Sequence, residues 1–204
     1  MIRATDLPSA EEKLALLNLT VDRLTGSGYE YIGMDHFALP EDELVMAQKQ
    51  GTLQRNFQGY STRAHSDLIG LGVSAISHVG PSFSQNVTML SDWNKAIDAA
   101  SLPVTRGTWM NMDDQIRADV ISRIMCRSEL RFNAVESSWE INFEEYFADE
   151  LKRLKPMAED NLLTCFEGGF RITPPGRMLL RNIAMVFDAY LSSQQASPRF
   201  SKVI

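Results

Sequence analysis

Two adjacent residues, Asp35 and His36, put an acid beside an imidazole at the end of the aromatic-rich run Tyr29 to Gly33. In a strand such neighbours point to opposite faces, so they cannot work there as a hydrogen-bonded pair. In a loop beyond a strand, either could reach a ligand, or the Asp could cap a turn beside a satisfied His. Some twenty residues on, Asn56-Phe57-Gln58-Gly59-Tyr60 mixes amides, aromatics and a glycine. Phe57 or Tyr60 could stack on a planar ligand and Gln58 could both donate and accept. Gly59 would let backbone approach closely. The competing reading is a turn whose aromatics plug a core. Gly70-Leu71-Gly72 is a poor phosphate loop, since it lacks a third glycine and a following Lys-Ser/Thr. Close packing at a strand start suits it better. His36, His65 and His78 have no metal-ligand spacing, and no metal is expected on them.

The elements that must hold these residues follow from local signals. Ser9 and Glu12 form a capping box ahead of Leu14, Leu17, Val21 and Leu24 at helical spacing, with Gly26 as the stop. Helix, Gly-Ser-Gly turn and strand make an αβ unit of the kind that builds parallel sheets. Asp42 and Glu43 suit the start of a second helix, closed by Gly51. A strand is expected over Val73–Ser77, a loop from Pro81 to Leu90, and a short helix over Trp93–Ala100 capped by Ser91 or Asp92. The composition changes at Leu102-Pro103. Beyond it, Asn111 and Asn142 open helices, Pro156 ends one, and Glu167-Gly168-Gly169 signals a tight hairpin. Thr173-Pro174 starts a last helix with Leu180, Ile183, Val186, Phe187 and Tyr190 on its apolar face, and Ser192 to Arg199 reads as a polar tail.

The expected fold is therefore α/β: a partial parallel barrel remnant over residues 1–106, then a mainly α, winged-helix-like domain over 107–204. The barrel reading places further strands before Met1. Arg171, Arg177 and Arg181 sit where a DNA-binding winged helix would carry phosphate contacts. The surrounding Glu159, Asp160, Glu167 and Asp188 favour a protein or ligand lid instead.

The chain has 20 basic and 26 acidic residues, for a net charge of −6, which argues against nucleic acid as a bulk partner. Cys126 and Cys165 are read as buried thiols rather than a disulfide or metal pair, as in a reducing compartment. No run approaches the roughly 18 apolar residues of a membrane span, so the expectation is a soluble, cytoplasmic protein.

The strings GYEYIGMDHFALPEDEL, NFQGYST and GLGVSAIS, with FEGGFRITPPGRMLLRNIAMVFDAYL and FSKVI at the end, resemble the oxygen-independent coproporphyrinogen III oxidases, radical S-adenosylmethionine (SAM) enzymes. The resemblance covers nearly the whole chain and implies the C-terminal half of such an enzyme. It implies a 4Fe–4S cluster on a CxxxCxxC loop, two SAM molecules and an electron donor protein or reductase. Reductive cleavage of SAM would give a 5′-deoxyadenosyl radical that takes hydrogen from a substrate propionate. Loss of CO2, twice over, would turn coproporphyrinogen III into protoporphyrinogen IX. By motif it implies Phe57 and Gln58 at the SAM pocket, as the residues tied to catalysis, and Ile76 as an apolar contact to the cluster-bound SAM. Asp35 and His36 are implied on the substrate pocket wall. This sequence has no CxxxCxxC, so the fragment alone should bind no cluster and be inert. Two other readings remain open: a stand-alone tetrapyrrole- or protein-binding module, and a DNA-binding winged helix. The strand at Tyr29–Ile32, as an orphaned barrel edge, should make the fragment self-associate.

Overall fold

The computed structural model describes residues 3, 6–63 and 66–191. His65 and the Ser192–Arg199 tail lie outside them. In chain order the elements begin α1 (Ala10–Gly26), β1 (Glu30–Gly33), β2 (His36–Ala38), α2 (Glu43–Gln50), β3 (Gln54–Asn56) and β4 (Gly59–Ser61). There follow β5 (Ile76–Val79), β6 (Ser82–Asn86), α3 (Leu90–Asp98), β7 (Val104–Trp109) and α4 (Met112–Arg127). The last are β8 (Glu129–Arg131), α5 (Phe132–Trp139), α6 (Phe143–Tyr146), α7 (Ala148–Glu159), β9 (Leu163–Phe166), β10 (Gly169–Ile172), α8 (Pro174–Met178) and α9 (Leu180–Met185). Mixed α and β content is as expected. Among the described residues, every strand pair is antiparallel.

Packing divides the chain into residues 1–62 with 119–204, and residues 63–118. The boundary expected after Arg106 falls inside β7. Composition changes near Pro103, but β7 is hydrogen-bonded along β6 and cannot be parted from it.

In the first unit, the capping box of α1 is present: Ser9 Oγ accepts from the Glu12 amide at 3.2 Å and Glu12 accepts from the Ser9 amide at 2.8 Å. These bonds hold the Glu12 carboxyl below its ordinary value. Leu14, Leu17, Val21 and Leu24 are half-buried, and no residue of α1 is fully buried. The β1–β2 hairpin follows, with Tyr31 and Ile32 buried. Two of its carbonyls accept side-chain hydrogen bonds. Gln48 Nε2 donates to Ile32 O at 2.6 Å, and Arg177 donates to Tyr31 O and Ile32 O.

The same unit holds the aromatic core. Phe132 stacks on Phe143 at 4.2 Å between centroids, and Phe143 and Phe187 both meet Phe147. Around it β8, β10 and β9 form a three-stranded sheet in that order, with Gly168 at φ 74° turning the β9–β10 hairpin. Gly169 and Gly176 are required here, because a Cβ would stand 2.3 Å from Leu130 O and 1.8 Å from Leu162 O. Pro156 does not end its helix. It lies in the last turn of α7, where its own carbonyl still accepts from the Asp160 amide at 2.9 Å. The break comes earlier, at Phe147 between α6 and α7. The last helix is also broken, at Leu179, and Tyr190 is exposed rather than on the apolar face.

In the second unit, β5, β6 and β7 form a three-stranded antiparallel sheet. The expected loop over 81–90 contains β6, and the strand expected at Val73 begins only at Ile76. Ser82-Phe83-Ser84-Gln85-Asn86 reads as polar loop because its amides serve internal backbone. Asn86 Nδ2 donates to Gly72 O at 2.8 Å and Gln85 Nε2 to Ser74 O at 3.0 Å. Gly70 packs so closely that a Cβ would lie 2.7 Å from Ile76 O. The Gly70-x-Gly72 stretch is a packing device. The helix α3 starts at Leu90, with Met89 at its N-cap and no side-chain cap.

Candidate functional site

Two hairpins of the first unit bring most of the expected site residues together. The β1–β2 turn carries Asp35, and His36 opens β2 opposite Gly33. The β3–β4 hairpin pairs Asn56 with Gly59 and leaves Phe57 and Gln58 as its two turn residues. Asn56 Oδ1 accepts from the Gln58 amide at 2.8 Å, fixing the turn locally.

The hairpins touch through three residues. The His36 ring meets the Tyr60 ring edge-on, with centroids 5.1 Å apart. Gly59 lies under His36, where a Cβ would come within 2.9 Å of Nε2. Tyr60 then donates its hydroxyl to Met125 O in α4 at 3.0 Å. Burial pushes the Tyr60 hydroxyl well above the ordinary phenol range, with Cys126 adding to the rise. Tyr60 is half-buried and turned to α4, whereas Phe57 is 60% exposed.

Asp35 and His36 do meet, since the turn lifts the constraint a straight strand would set. Asp35 Oδ1 stands 2.8 Å from His36 Nδ1. The approach is off the ring N–H direction, and Nδ1 is a buried nitrogen without a hydrogen bond among the described residues. Gln58 is exposed, and its side-chain amide has no hydrogen-bond partner among the described residues. Ile76 opens β5 in the second unit, half-buried and opposite Gln85.

The thiols do not fit a cluster. Cys126 is buried in α4 and Cys165 is exposed on β9, which corrects the expectation that both are buried. Burial along β9 does not alternate: Cys165 shares a face with the buried Leu163 and is nevertheless exposed. Among the described residues, no three His, Cys, Asp or Glu side chains converge on a metal position, and no step is derived through a cluster. No helix among them is long and apolar enough to cross a membrane.

Two of the three arginines weighed as phosphate contacts are engaged internally. Arg171 is held by Glu129 at 2.6 and 2.9 Å, and those bonds keep the Glu129 carboxyl below its ordinary value. Arg177 reaches across to β1. It also lines an apolar groove of about 600 Å³ between α1 and α8, with Leu14, Val21, Tyr31, Pro174 and Leu179. None of the five expected site residues lines that groove.

Residues 110–179 match the HemN C-terminal domain family. The chain is 48% identical over 203 residues to the oxygen-independent coproporphyrinogen III oxidase of Salmonella typhimurium, covering all of this chain and 44% of that protein. The resemblance to these oxidases runs the length of the chain. The protein of the same name from Pseudomonas aeruginosa is also 48% identical, with the same 44% coverage. That from Thermostichus vulcanus is 42% identical over 204 residues and is covered to 62%. Among solved structures, the coproporphyrinogen III oxidase HemN from Escherichia coli, described as a radical SAM enzyme, superposes with a TM-score of 0.87. It is 46% identical, over 93% of this chain and 44% of that one. The chain thus spans less than half the length of the first of these relatives.

Proposed function

We propose that this chain supplies the C-terminal part of an oxygen-independent coproporphyrinogen III oxidase, acting on two propionates of coproporphyrinogen III. The observation that carries it is identity near one residue in two along the whole chain, in register with a structure of the same shape. In this reading the cluster and its thiolates come from the remainder of the complete enzyme, which also meets the electron donor. Bound SAM would supply the hydrogen-abstracting chemistry. This chain's part is to bind SAM: in the first unit Phe57 would offer a stacking face and Gln58 an orienting amide, and the second unit would contribute Ile76 as an apolar contact of its own. Asp35 and His36 stand one hairpin away, on the substrate side.

The order α4, β8, α5, α6–α7, β9, β10 supports the winged-helix reading, with the β9–β10 hairpin as wing. The engaged state of Arg171 and Arg177 favours a lid over a DNA contact.

A chimera tests the proposal. The matching 44% of the Salmonella typhimurium relative is replaced by this chain, and anaerobic conversion of coproporphyrinogen III is followed by chromatography. Turnover that Gln58→Ala depresses is the expected result. A chimera that folds and carries its cluster but makes no protoporphyrinogen IX would overturn it.

A further inference from the structure

We propose that His36, Gly59 and Tyr60 act together as positioning residues that fix the direction in which the Phe57–Gln58 turn is presented. The functional meaning of this rests on the pocket reading above. The geometry does not.

A local anchor of the turn is the Asn56 side chain on the Gln58 amide. A two-residue hairpin of three-residue strands is a small element whose angle depends on what it packs against. Behind the turn itself runs a contact chain. Met125 O holds the Tyr60 hydroxyl, the Tyr60 ring takes the His36 ring on edge, and His36 lies over Gly59, the residue that follows Gln58. Gly33, opposite His36 in the β1–β2 pairing, clears the space for the Tyr60 hydroxyl, since a Cβ there would stand 2.5 Å from it. Gly59 has φ 131°, which favours glycine, and its missing Cβ is what admits the His36 ring. The assignment also accounts for His36 Nδ1, which is buried without a hydrogen bond. The ring is kept there as a spacer between two hairpins.

Residue-resolved amide exchange on the 204-residue chain tests it. In His36→Ala the Gln58 amide should exchange about tenfold faster, as for loss of roughly one hydrogen bond's net contribution. The Phe170 and Leu163 amides should keep their protection. His36→Gln, which retains a planar group of similar reach, should recover most of the Gln58 protection. It also serves if the alanine variant fails to fold. Unchanged Gln58 exchange, or equal acceleration at Gln58, Phe170 and Leu163, would overturn the assignment. A second arm separates it from the pocket reading: in the chimera, His36→Ala should raise the SAM concentration for half-maximal rate. Faster Gln58 exchange with no change in that concentration supports the positioning and sinks the pocket reading instead.

Discussion

The guanidinium of Arg177 stands 4.9 Å from the centroid of the Tyr31 ring and donates to the Tyr31 carbonyl, joining residues 146 positions apart. One side chain thus ties the β1–β2 hairpin to α8. Burial, opposed by Arg177, raises the Tyr31 hydroxyl above its ordinary value.

Arg177→Met keeps the length and loses the donors, leaving part-buried carbonyls of β1 short of a partner. The expected cost is about 1–3 kcal/mol. Arg177→Lys should recover less than half, because its ammonium sits on a shorter stem and has no planar face to lay on the Tyr31 ring. Urea unfolding at constant slope checks both. A midpoint unmoved in Arg177→Met would show the contact to be incidental.

Thiol reactivity should separate the cysteines. Burial pushes the Cys126 thiol up to about 11, whereas Cys165 is exposed on β9. A colorimetric thiol reagent near neutral pH should titrate Cys165 in the native protein and both thiols in denaturant. The sign of the pH effect follows. A thiol whose folded value lies above its ordinary 9.0 adds stability that is fully present below about pH 9. That stability is lost as the pH rises towards about 11. Cys126→Ala should flatten this alkaline limb, with Tyr60 maintaining a further fall above it. Parallel limbs in wild type and variant would contradict the assignment.

Gly176→Ala should be among the most damaging single changes in the chain. The added carbon would meet a backbone carbonyl at 1.8 Å, beside the buried Ile172, so no side-chain rotation can relieve it. A loss of about 3 kcal/mol or more is expected, at the upper end of overpacking. Gly26→Ala, where a Cβ meets nothing within 4 Å, is the matched control. Thermal unfolding of the two variants side by side decides the point.

What the sequence makes legible here is local chemistry. The Ser9–Glu12 box, the Asn111–Asp114 pair, the Thr173 cap and the Gly168 hairpin each depend on residues within four positions. The strand β6 was not legible, because Gln85 and Asn86 are polar for the sake of loop carbonyls brought to them by the fold, and β7 was not because all six of its residues are exposed and none marks a buried face. The inward use of Arg177 was hidden for the same reason: its partners lie 145 and 146 positions away. In the candidate site, the residue types at 56–60 were informative. The split between them was not. Tyr60 faces inward because Met125 offers a carbonyl 65 positions later, and that leaves Phe57 outside.

Self-association is the remaining expectation, and its cause moves. Gln48 and Arg177 occupy two carbonyls of β1, which leaves less backbone there to pair. An exposed apolar surface of the first unit lies on α1. Its half-buried side carries Leu14, Leu17, Val21 and Leu24, while Leu16 and Leu19 project from the other side of the helix and are 55% and 51% exposed. A helix of 17 residues with no buried side chain draws little stability from packing. Burying that leucine pair against a second copy would remove apolar surface from water at both partners. The 204-residue chain should therefore be dimeric or larger at tens of micromolar, and Leu16→Glu with Leu19→Glu should return it to a monomer with its melting temperature nearly unchanged. Size-exclusion chromatography with light scattering measures both. A wild-type chain that stays monomeric across that range would show that α1 needs no partner.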